Sequence, residues 1–332
     1  MHVVPIRWPG LAFVVAGLVA LPACGWHYGY NFLDPAEPRF APGQQRPAGQ
    51  RFQGRVKLVS FNIKFGEPAR TARAIQYLQT DPTFGHPDVL LLQEVNCEAV
   101  EAIAAGLQAN WVYYPAAWHP KGTQWTTSPS AGSPCPPRQP AKGGYFGVGI
   151  VTPWTIADDQ KIPLPQVSRS DAAQKVALAA TIDFGGAYRL RAINVHLQYG
   201  LSPVQMGDQV QVITQCVLGE RCPPGARVVP LDSWAHRSGP AGRPGNVIVA
   251  GDFNSPGEAH IQVIKTLLAG GAEPVPLPAG TYWLLSAFSS LGRLDHVFHG
   301  VGLRPGEVQV GTRHVSDHRP VMVEFTVEEG AR

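Results

Sequence analysis

Seven residues of the kind that bind cations or move protons stand at or just beyond the ends of short apolar runs in this chain. In Asn246-Val-Ile-Val-Ala-Gly-Asp-Phe-Asn-Ser255, a Val/Ile/Ala run stops at Gly251, Asp252 and Asn254. Val56–Asn62 stops at Asn62, Asp88–Glu94 at Glu94, and Leu190–His196 at His196. Ser316-Asp317-His318 comes just before a last apolar run. Runs of this kind form buried strands, and their ends deliver polar groups to the edge of a sheet.

A carboxylate at the end of a buried strand is costly unless it is paired or bound to metal. Glu94, in Leu91-Leu-Gln-Glu-Val, is thus a candidate oxygen ligand for Mg²⁺, Mn²⁺ or Ca²⁺. Alone, the plainer account is an exposed strand-end Glu. Asn62 is weaker by itself, because Asn is a common turn residue. A lone His on an apolar strand, such as His196, is more often a satisfied structural residue than a catalytic one. Asp252 and Asn254 are two apart, which puts them on one side of an extended chain. Together they can orient a water and hold an anion. The rival account is an Asx turn after a strand. Adjacent Asp317 and His318 point to opposite faces of an extended chain, so Asp317 can face a metal while His318 takes another role. Asp295, in Arg293-Leu-Asp-His296, can bond the second ring nitrogen of His318, fix its tautomer and raise its basicity. A His so held can take a proton from water at neutral pH.

The elements that must position these groups follow from periodicity. Val56 opens the first strand, and Ala69–Gln79 has apolar residues at helical spacing. Val89-Leu-Leu-Leu is apolar on both faces and so central. Glu98–Leu107 reads as a helix and Trp111–Tyr114 as a strand, followed by a long loop at 115–144 that carries Trp118, His119, Lys121, Trp125 and Cys135. Phe146–Val151 is a strand, and 153–174 is a turn-rich connection. Val176–Phe184 and Tyr188–His196 form a hairpin around Gly185-Gly186. Helices at Val204–Leu218 and Ala259–Ala269 flank a Pro/Gly-rich loop at 219–245 and the strand ending at Asp252. Leu294–His299 and Val321–Val327 are the last clear strands. Strands outnumber helices, and hairpins mix with strand–helix alternation. This favours two sheets packed face to face with helices outside, over a purely doubly wound sheet.

Composition sets the compartment more than the partner. Of 332 residues, 44% are hydrophobic and 15% charged, which suits a globular protein with a large core. The net charge of +3 comes without a Lys/Arg block, so it tolerates an anionic substrate without demonstrating one. Residues 1–23 resemble a signal peptide: Arg7, then an apolar run from Leu11 to Ala23 that is too short to span a membrane comfortably. Leu21-Pro-Ala-Cys24 resembles a bacterial lipoprotein box, which would make Cys24 a lipid anchor; ordinary cleavage and secretion is the alternative. Residues 24–54, rich in Pro, Gly, Gln and Arg, read as a tether or an extended arm, with the domain at 55–328. Export predicts disulfides among the other cysteines, with Cys216 paired locally to Cys222 and Cys97 to Cys135. No Cys-x-x-Cys pair is present, which argues against a thiolate zinc site.

Taken in order, Ser60-Phe-Asn-Ile, Leu91-Leu-Gln-Glu-Val, Asn194-Val-His-Leu, Gly251-Asp-Phe-Asn-Ser, Arg293-Leu-Asp-His-Val-Phe and Ser316-Asp-His-Arg-Pro-Val resemble the motifs of the endonuclease/exonuclease/phosphatase superfamily. Tyr114-Pro115 and His119-Pro-Lys121 are similar to an exported bacterial branch of it. The resemblance implies a four-layered α/β/β/α sandwich of two packed mixed sheets with outer helices, and Mg²⁺-dependent cleavage of a phosphate ester. It implies Glu94 as principal metal ligand with Asn62 and Asp317 nearby, and His318 paired with Asp295 as base. Asp252 would orient the water, Asn254 bind a phosphate oxygen, and His196 bind phosphate or protonate the leaving oxygen. Val148 and His296 depart from the common pattern, where relatives often carry Asn and an aromatic residue. The expected function is an exported phosphodiesterase acting on nucleic acid. A phospholipid-directed, sphingomyelinase-like enzyme or phosphoinositide phosphatase is the alternative, and a catalytically silent binding protein is the reading outside enzymes. No protein partner is expected.

Overall fold

Strands β1 (Arg55–Asn62) and β2 (Val89–Val95) show how the chain builds its layers. Alternate side chains of a strand face opposite ways. Leu58 and Leu91 point into one buried cluster, while Val59, Phe61, Leu90 and Leu92 point into another. Both faces of each strand are covered, as expected of runs apolar throughout.

The computed structural model describes residues 31–46, 51–119, 132–135, 144–165, 173–185, 188–200, 202–218, 245–255, 258–269, 271–278, 280–282, 293–312 and 315–328. After β1 come α1 (Pro68–Thr80), β2, α2 (Cys97–Gly106), β3 (Asn110–His119), β4 (Gly144–Thr152), β5 (Thr155–Pro163), β6 (Val176–Asp183) and β7 (Arg189–His196). Then follow α3 (Pro203–Leu218), β8 (Val247–Asp252), α4 (Glu258–Ala269), β9 (Glu273–Pro274), β10 (Asp295–His299), β11 (Leu303–Val310) and β12 (Val321–Val327). They form two six-stranded sheets, ordered β11-β12-β1-β2-β4-β3 and β5-β6-β7-β8-β10-β9. Both are mixed: β1 runs parallel to β2 and β7 to β8, and the other neighbours are antiparallel.

Three apolar layers hold the sandwich together. Leu58, Leu91, Ile150, Leu178, Ala192, Ile248 and Phe325 fill the space between the sheets. Ala74 and Leu78 of α1 and Val100 and Ile103 of α2 cover the first sheet. Met206, Val210 and Ile213 of α3, with Val263 and Leu267 of α4, cover the second. The α/β/β/α order expected from the sequence is present. Asn96 caps α2, its side chain accepting from the Ala99 amide at 2.8 Å. The first turn of α2 is also tied down by the Cys97–Cys135 disulfide, the pairing expected from the sequence. Cys222 and the side chain of Cys216 lie outside the described residues, as do residues 1–30 and Lys121.

Three stretches differ from the sequence reading. The loop expected from residue 115 starts later, because β3 continues to His119 beside β4. The connection at 153–174 contains β5, an edge strand whose Asp158, Asp159 and Gln160 hide its apolar alternation. Strand β11 was obscured by Pro305-Gly306, which an edge strand with a register shift accommodates. Among the described residues no helix is long and apolar enough to cross a membrane.

The layering predicts a sharp contrast in truncation costs. Leu91, fully buried between the sheets, should lose about 2–5 kcal/mol of unfolding free energy on change to Ala. Leu33, 58% exposed, should change by less than about 0.5 kcal/mol. Urea unfolding of both variants checks this, and equal costs would contradict the layering.

Candidate active site

The ends of β1, β2, β7, β8 and β10 lie on one rim of the sandwich, and β12 is preceded there by Ser316–His318. Register makes the meeting unavoidable. Asp252 pairs with His196 across β7–β8 and with Asp295 across β8–β10. Gly251, just before, has φ +143°, and a β-carbon there would lie 2.0 Å from the Val195 carbonyl oxygen. Only glycine lets β8 approach β7 this closely.

Glu94 reaches the rim by a backbone irregularity. It has φ +51°, at a register shift between Gln93 and Val95 where β2 pairs with β4. Such a bulge re-aims a side chain, and a left-handed non-glycine residue is a strain that clusters at functional sites. Its Oε1 lies 3.7 Å from His196 Nε2. The ligand atoms of Glu94, His196 and Asp252 lie within 4.8 Å of one another, as do those of Asp252, Asp295 and His318. Asp252 belongs to both groups.

The second group is an ordered acid–imidazole relay. His318 Nδ1 lies 2.9 Å from Asp295 Oδ2, and its Nε2 lies 3.7 Å from Asp252 Oδ2. The Asp295 backbone amide donates to Thr281 Oγ1 at 3.0 Å, and the His318 amide to Ser316 Oγ at 3.3 Å. Burial works against charge on His318, but Asp295, Asp252 and Glu94 outweigh it and raise its pKa to about 10. Burial raises Asp252 to about 7, against the pull of His318 and with reinforcement from Asp295 and Glu94.

Asn62 is buried and donates to Asp252 Oδ2 at 3.0 Å. The Asn254 amide donates to Asp252 Oδ1 at 2.9 Å, and its side-chain amide to the Leu197 carbonyl at 2.9 Å. Asn254 has φ +46°, so the chain turns there and is not extended as the sequence reading assumed. The Asx-type bond from Asn254 to Asp252 coexists with the placement of both at the rim. Asp317 sits beside the two groups, but its carboxylate pairs with Lys64 Nζ at 2.5 Å. Burial opposes its ionisation, and Lys64 and His318 overcome this and lower its pKa.

Two lysines at this rim were not singled out from the sequence. One is Lys64, two residues after Asn62. The other is Lys175, whose Nζ lies 2.9 Å from His196 Nε2 and 4.8 Å from the centroid of the Phe146 ring. Burial, then Lys175, then His318 push His196 well below its ordinary pKa, so the imidazole is neutral. Lys175 stands alone before an Ala-rich strand and carries no motif. His296, next to Asp295, faces the other way, toward Ser255 Oγ at 3.1 Å and the Phe253 ring. Val148 is buried in the layer between the sheets. Both departures from the common pattern therefore lie off the rim.

The chain matches the model of the Endonuclease/Exonuclease/phosphatase family over residues 59–318. No individual curated protein matches it significantly in sequence. An endonuclease/exonuclease/phosphatase from Bacteroides vulgatus superposes with a TM-score of 0.55 at 15% identity, over 83% of this chain and 100% of that one. D. rerio TDP2 complexed with a single-strand DNA product gives 0.55 at 17%, over 83% and 100%. The human Nocturnin catalytic domain with a bound sulfate anion gives 0.52 at 16%, over 85% and 100%. At these identities the structural likeness shows the fold, and the sequence match extends over most of the chain. The chain thus belongs to the endonuclease/exonuclease/phosphatase family.

Proposed function

We propose that the protein is an exported, divalent-metal-dependent phosphodiesterase that cleaves nucleic acid by attack of water on phosphorus. The observation that carries this reading is the pairing of Asp295 with His318 next to Asp252, itself grouped with Glu94 and His196. The donors fit a hard cation: carboxylate oxygens of Glu94 and Asp252 dominate the group, with His196 beside them. Glu94 and Asp252 would hold the ion, with Asn62 and Asp317 beside them. When bound, Mg²⁺ or Mn²⁺ supplies Lewis-acid stabilisation of charge on the phosphoryl oxygens and offsets the carboxylates around His318.

The chain's own groups then divide the work. Asp295 holds His318 by Nδ1, leaving Nε2 to accept a proton from the attacking water. Asp252, 3.7 Å from that nitrogen, orients the water and is itself fixed by Asn62 and the Asn254 amide. Asn254 Oδ1 and Nδ2 lie at the rim for the phosphate, with Nδ2 already on the Leu197 carbonyl. His196 contacts the phosphate as a neutral imidazole, with the Lys175 amine 2.9 Å from its Nε2 and lowered in pKa by burial. Nucleic acid is supported as substrate by the fold shared with a TDP2 complexed with a single-strand DNA product, while Lys64 and Lys175 would meet the phosphate of any phosphodiester. Export is supported by the apolar run before Cys24 and by the Cys97–Cys135 disulfide, a bond that persists in oxidising compartments.

Glu94→Ala and His318→Ala should each lower hydrolysis by roughly 10²–10⁴-fold while thermal unfolding stays cooperative. Purified protein, with and without EDTA, would be assayed on plasmid DNA, RNA, sphingomyelin, phosphoinositides and a bis-aryl phosphate. Full activity in either variant would refute the site, and turnover confined to sphingomyelin or phosphoinositides would replace nucleic acid as substrate. Mass spectrometry of the mature N-terminus tests the anchor: a lipid on Cys24 is expected, and an unmodified Cys24 or another start rejects it.

The electrostatics predict a pH dependence for the metal-free protein. His318 is raised from its ordinary value of 6.5, so its contribution is full below about pH 6.5 and is lost as pH rises through about 10. Asp252 is raised from 3.8, so ionising it costs stability as pH rises through about 7. In both cases the folded state binds more protons than the unfolded one. His196 and Lys161, both lowered by burial, act in the opposite sense over the same range, so the test is a difference between parent and variant. In EDTA the parent's melting temperature should exceed that of His318→Gln by more at pH 6 than at pH 10, and Mg²⁺ should raise the parent's melting temperature most at high pH. A parent–variant difference that does not change with pH contradicts the assignment.

A further inference from the structure

Residues 31–46 precede the stretch matched to the family and lie along the open side of the sandwich. Phe40 exchanges both backbone bonds with Tyr113 on the edge strand β3, at 3.0 and 2.8 Å, and the Phe32 amide donates to the Ala116 carbonyl at 2.9 Å. On β5, the edge of the other sheet, Arg39 forks onto Asp159 at 2.7 and 2.6 Å. Gln45 exchanges two bonds with the Ile156 backbone, each 2.7 Å. The segment thereby ties together two edges that no strand pairing joins.

Its first described residue meets the backbone next to Lys175. Asn31 is bridged to Ala117 and accepts the Gln174 backbone amide on Oδ1 at 2.9 Å. Buried Gln174 is held further by its side chain, which donates to the Leu164 carbonyl at 2.7 Å and the Lys175 carbonyl at 2.6 Å. The next residue is Lys175, with its ammonium on His196. A buried amide needs its acceptor. Losing Asn31 Oδ1 would let the Gln174–Lys175 backbone shift, and a displacement of ~1 Å near a reacting centre can cost about 10²-fold in rate.

We propose that Asn31 is a positioning residue for Lys175, so that the segment N-terminal to the family match is a working part of the phosphoesterase centre. The proposal rests on the functional reading above. It is tested by a double-mutant cycle on the full chain with Asn31→Ala and Lys175→Ala, assayed on the best substrate of the panel. Asn31→Ala should lower kcat/KM by roughly tenfold alone and have little further effect in the Lys175→Ala background. Asn31→Asp, which keeps an acceptor, should restore most of the loss. Arg39→Ala, which loosens the same segment elsewhere, should leave kcat/KM unchanged. An additive cycle, or an equal loss in Arg39→Ala, overturns the proposal. A readout independent of turnover separates it from the functional reading: acetic anhydride labelling of Lys175, followed by mass spectrometry, should speed up several-fold in Asn31→Ala but not in Arg39→Ala. If the parent protein hydrolyses no phosphodiester, the functional reading fails and the labelling alone decides whether Asn31 positions Lys175; unchanged labelling rejects it.

Discussion

Two buried side-chain amides, Gln93 and Asn194, cross the space between the sheets directly beneath the catalytic rim. Gln93 Nε2 donates to Asn194 Oδ1 at 2.6 Å and to Ser60 Oγ at 3.2 Å. Asn194 Nδ2 donates to the carbonyls of Leu92 and Gly149 at 2.9 and 2.8 Å. Apolar packing between sheets is non-directional and tolerates sliding. Buried hydrogen bonds do not, because a shifted partner leaves a desolvated amide unpaired at a cost of about 1–3 kcal/mol. The clasp therefore fixes β2 against β7. Glu94 follows Gln93 by one residue and His196 follows Asn194 by two, so the same bonds set the 3.7 Å between their side chains. Gln93 Oε1 has no hydrogen-bond partner among the described residues, so part of what the clasp contributes is spent on that atom.

The rim above the clasp is built against stability. Asp252 and Asp295 are both nearly inaccessible to solvent, and Glu94 is only partly exposed. Burial and neighbouring carboxylates raise the pKa values of Asp252 and His318, and Asp317 pairs with Lys64. Glu94 and Asn254 add left-handed backbone, each a strain of order 1–3 kcal/mol. A fold selected for stability alone would have no use for these features. Their meeting on one rim sets it apart from the apolar layers that hold the sandwich together.

Much of this was legible in the sequence, because the site is made from strand ends. Hydrophobic runs locate the strands, and the residue that ends each run is placed at the rim by the sheet itself. Asn62, Glu94, His196 and Asp252 are of this kind, and Asp295 starts its strand at the same rim. What was not legible lacks periodicity. Lys175 occupies the start of a strand whose sequence shows only an isolated cation in an Ala-rich run. The left-handed turn at Glu94 follows from tertiary pairing and has no local marker, whereas Asn254 is of a residue type that enters this region readily. Strand β5 carries four polar residues in succession, Asp158 to Lys161, since an edge strand need bury only part of its surface, and β11 is interrupted by Pro305-Gly306. Gln93 and Asn194 are apolar-face positions filled by amides, and only the approach of the second sheet shows why.

The arm before β1 makes the same point about where a folded unit ends. Its composition, rich in Pro, Gly and Gln, is that of a segment unable to form a core. Composition describes what a segment can do alone, however, and this one is not alone. Phe52 stacks on Tyr188 with ring centroids 4.8 Å apart and meets Trp154 edge-on, while Phe40 packs on Tyr113 and Tyr145. Lys161, buried on β5, gives its ammonium to the Glu37 carbonyl, and burial lowers its pKa to about 8 against the pull of Asp34 and Glu37. Such a lysine would be costly if the arm left, since the groups that offset its burial are the arm's own. Two open sheet edges also need a cover, because unpaired strand edges invite association with other chains. Scattered aromatic residues in a polar sequence are enough to dock a segment on edges that already exist, and they leave no period by which to recognise it.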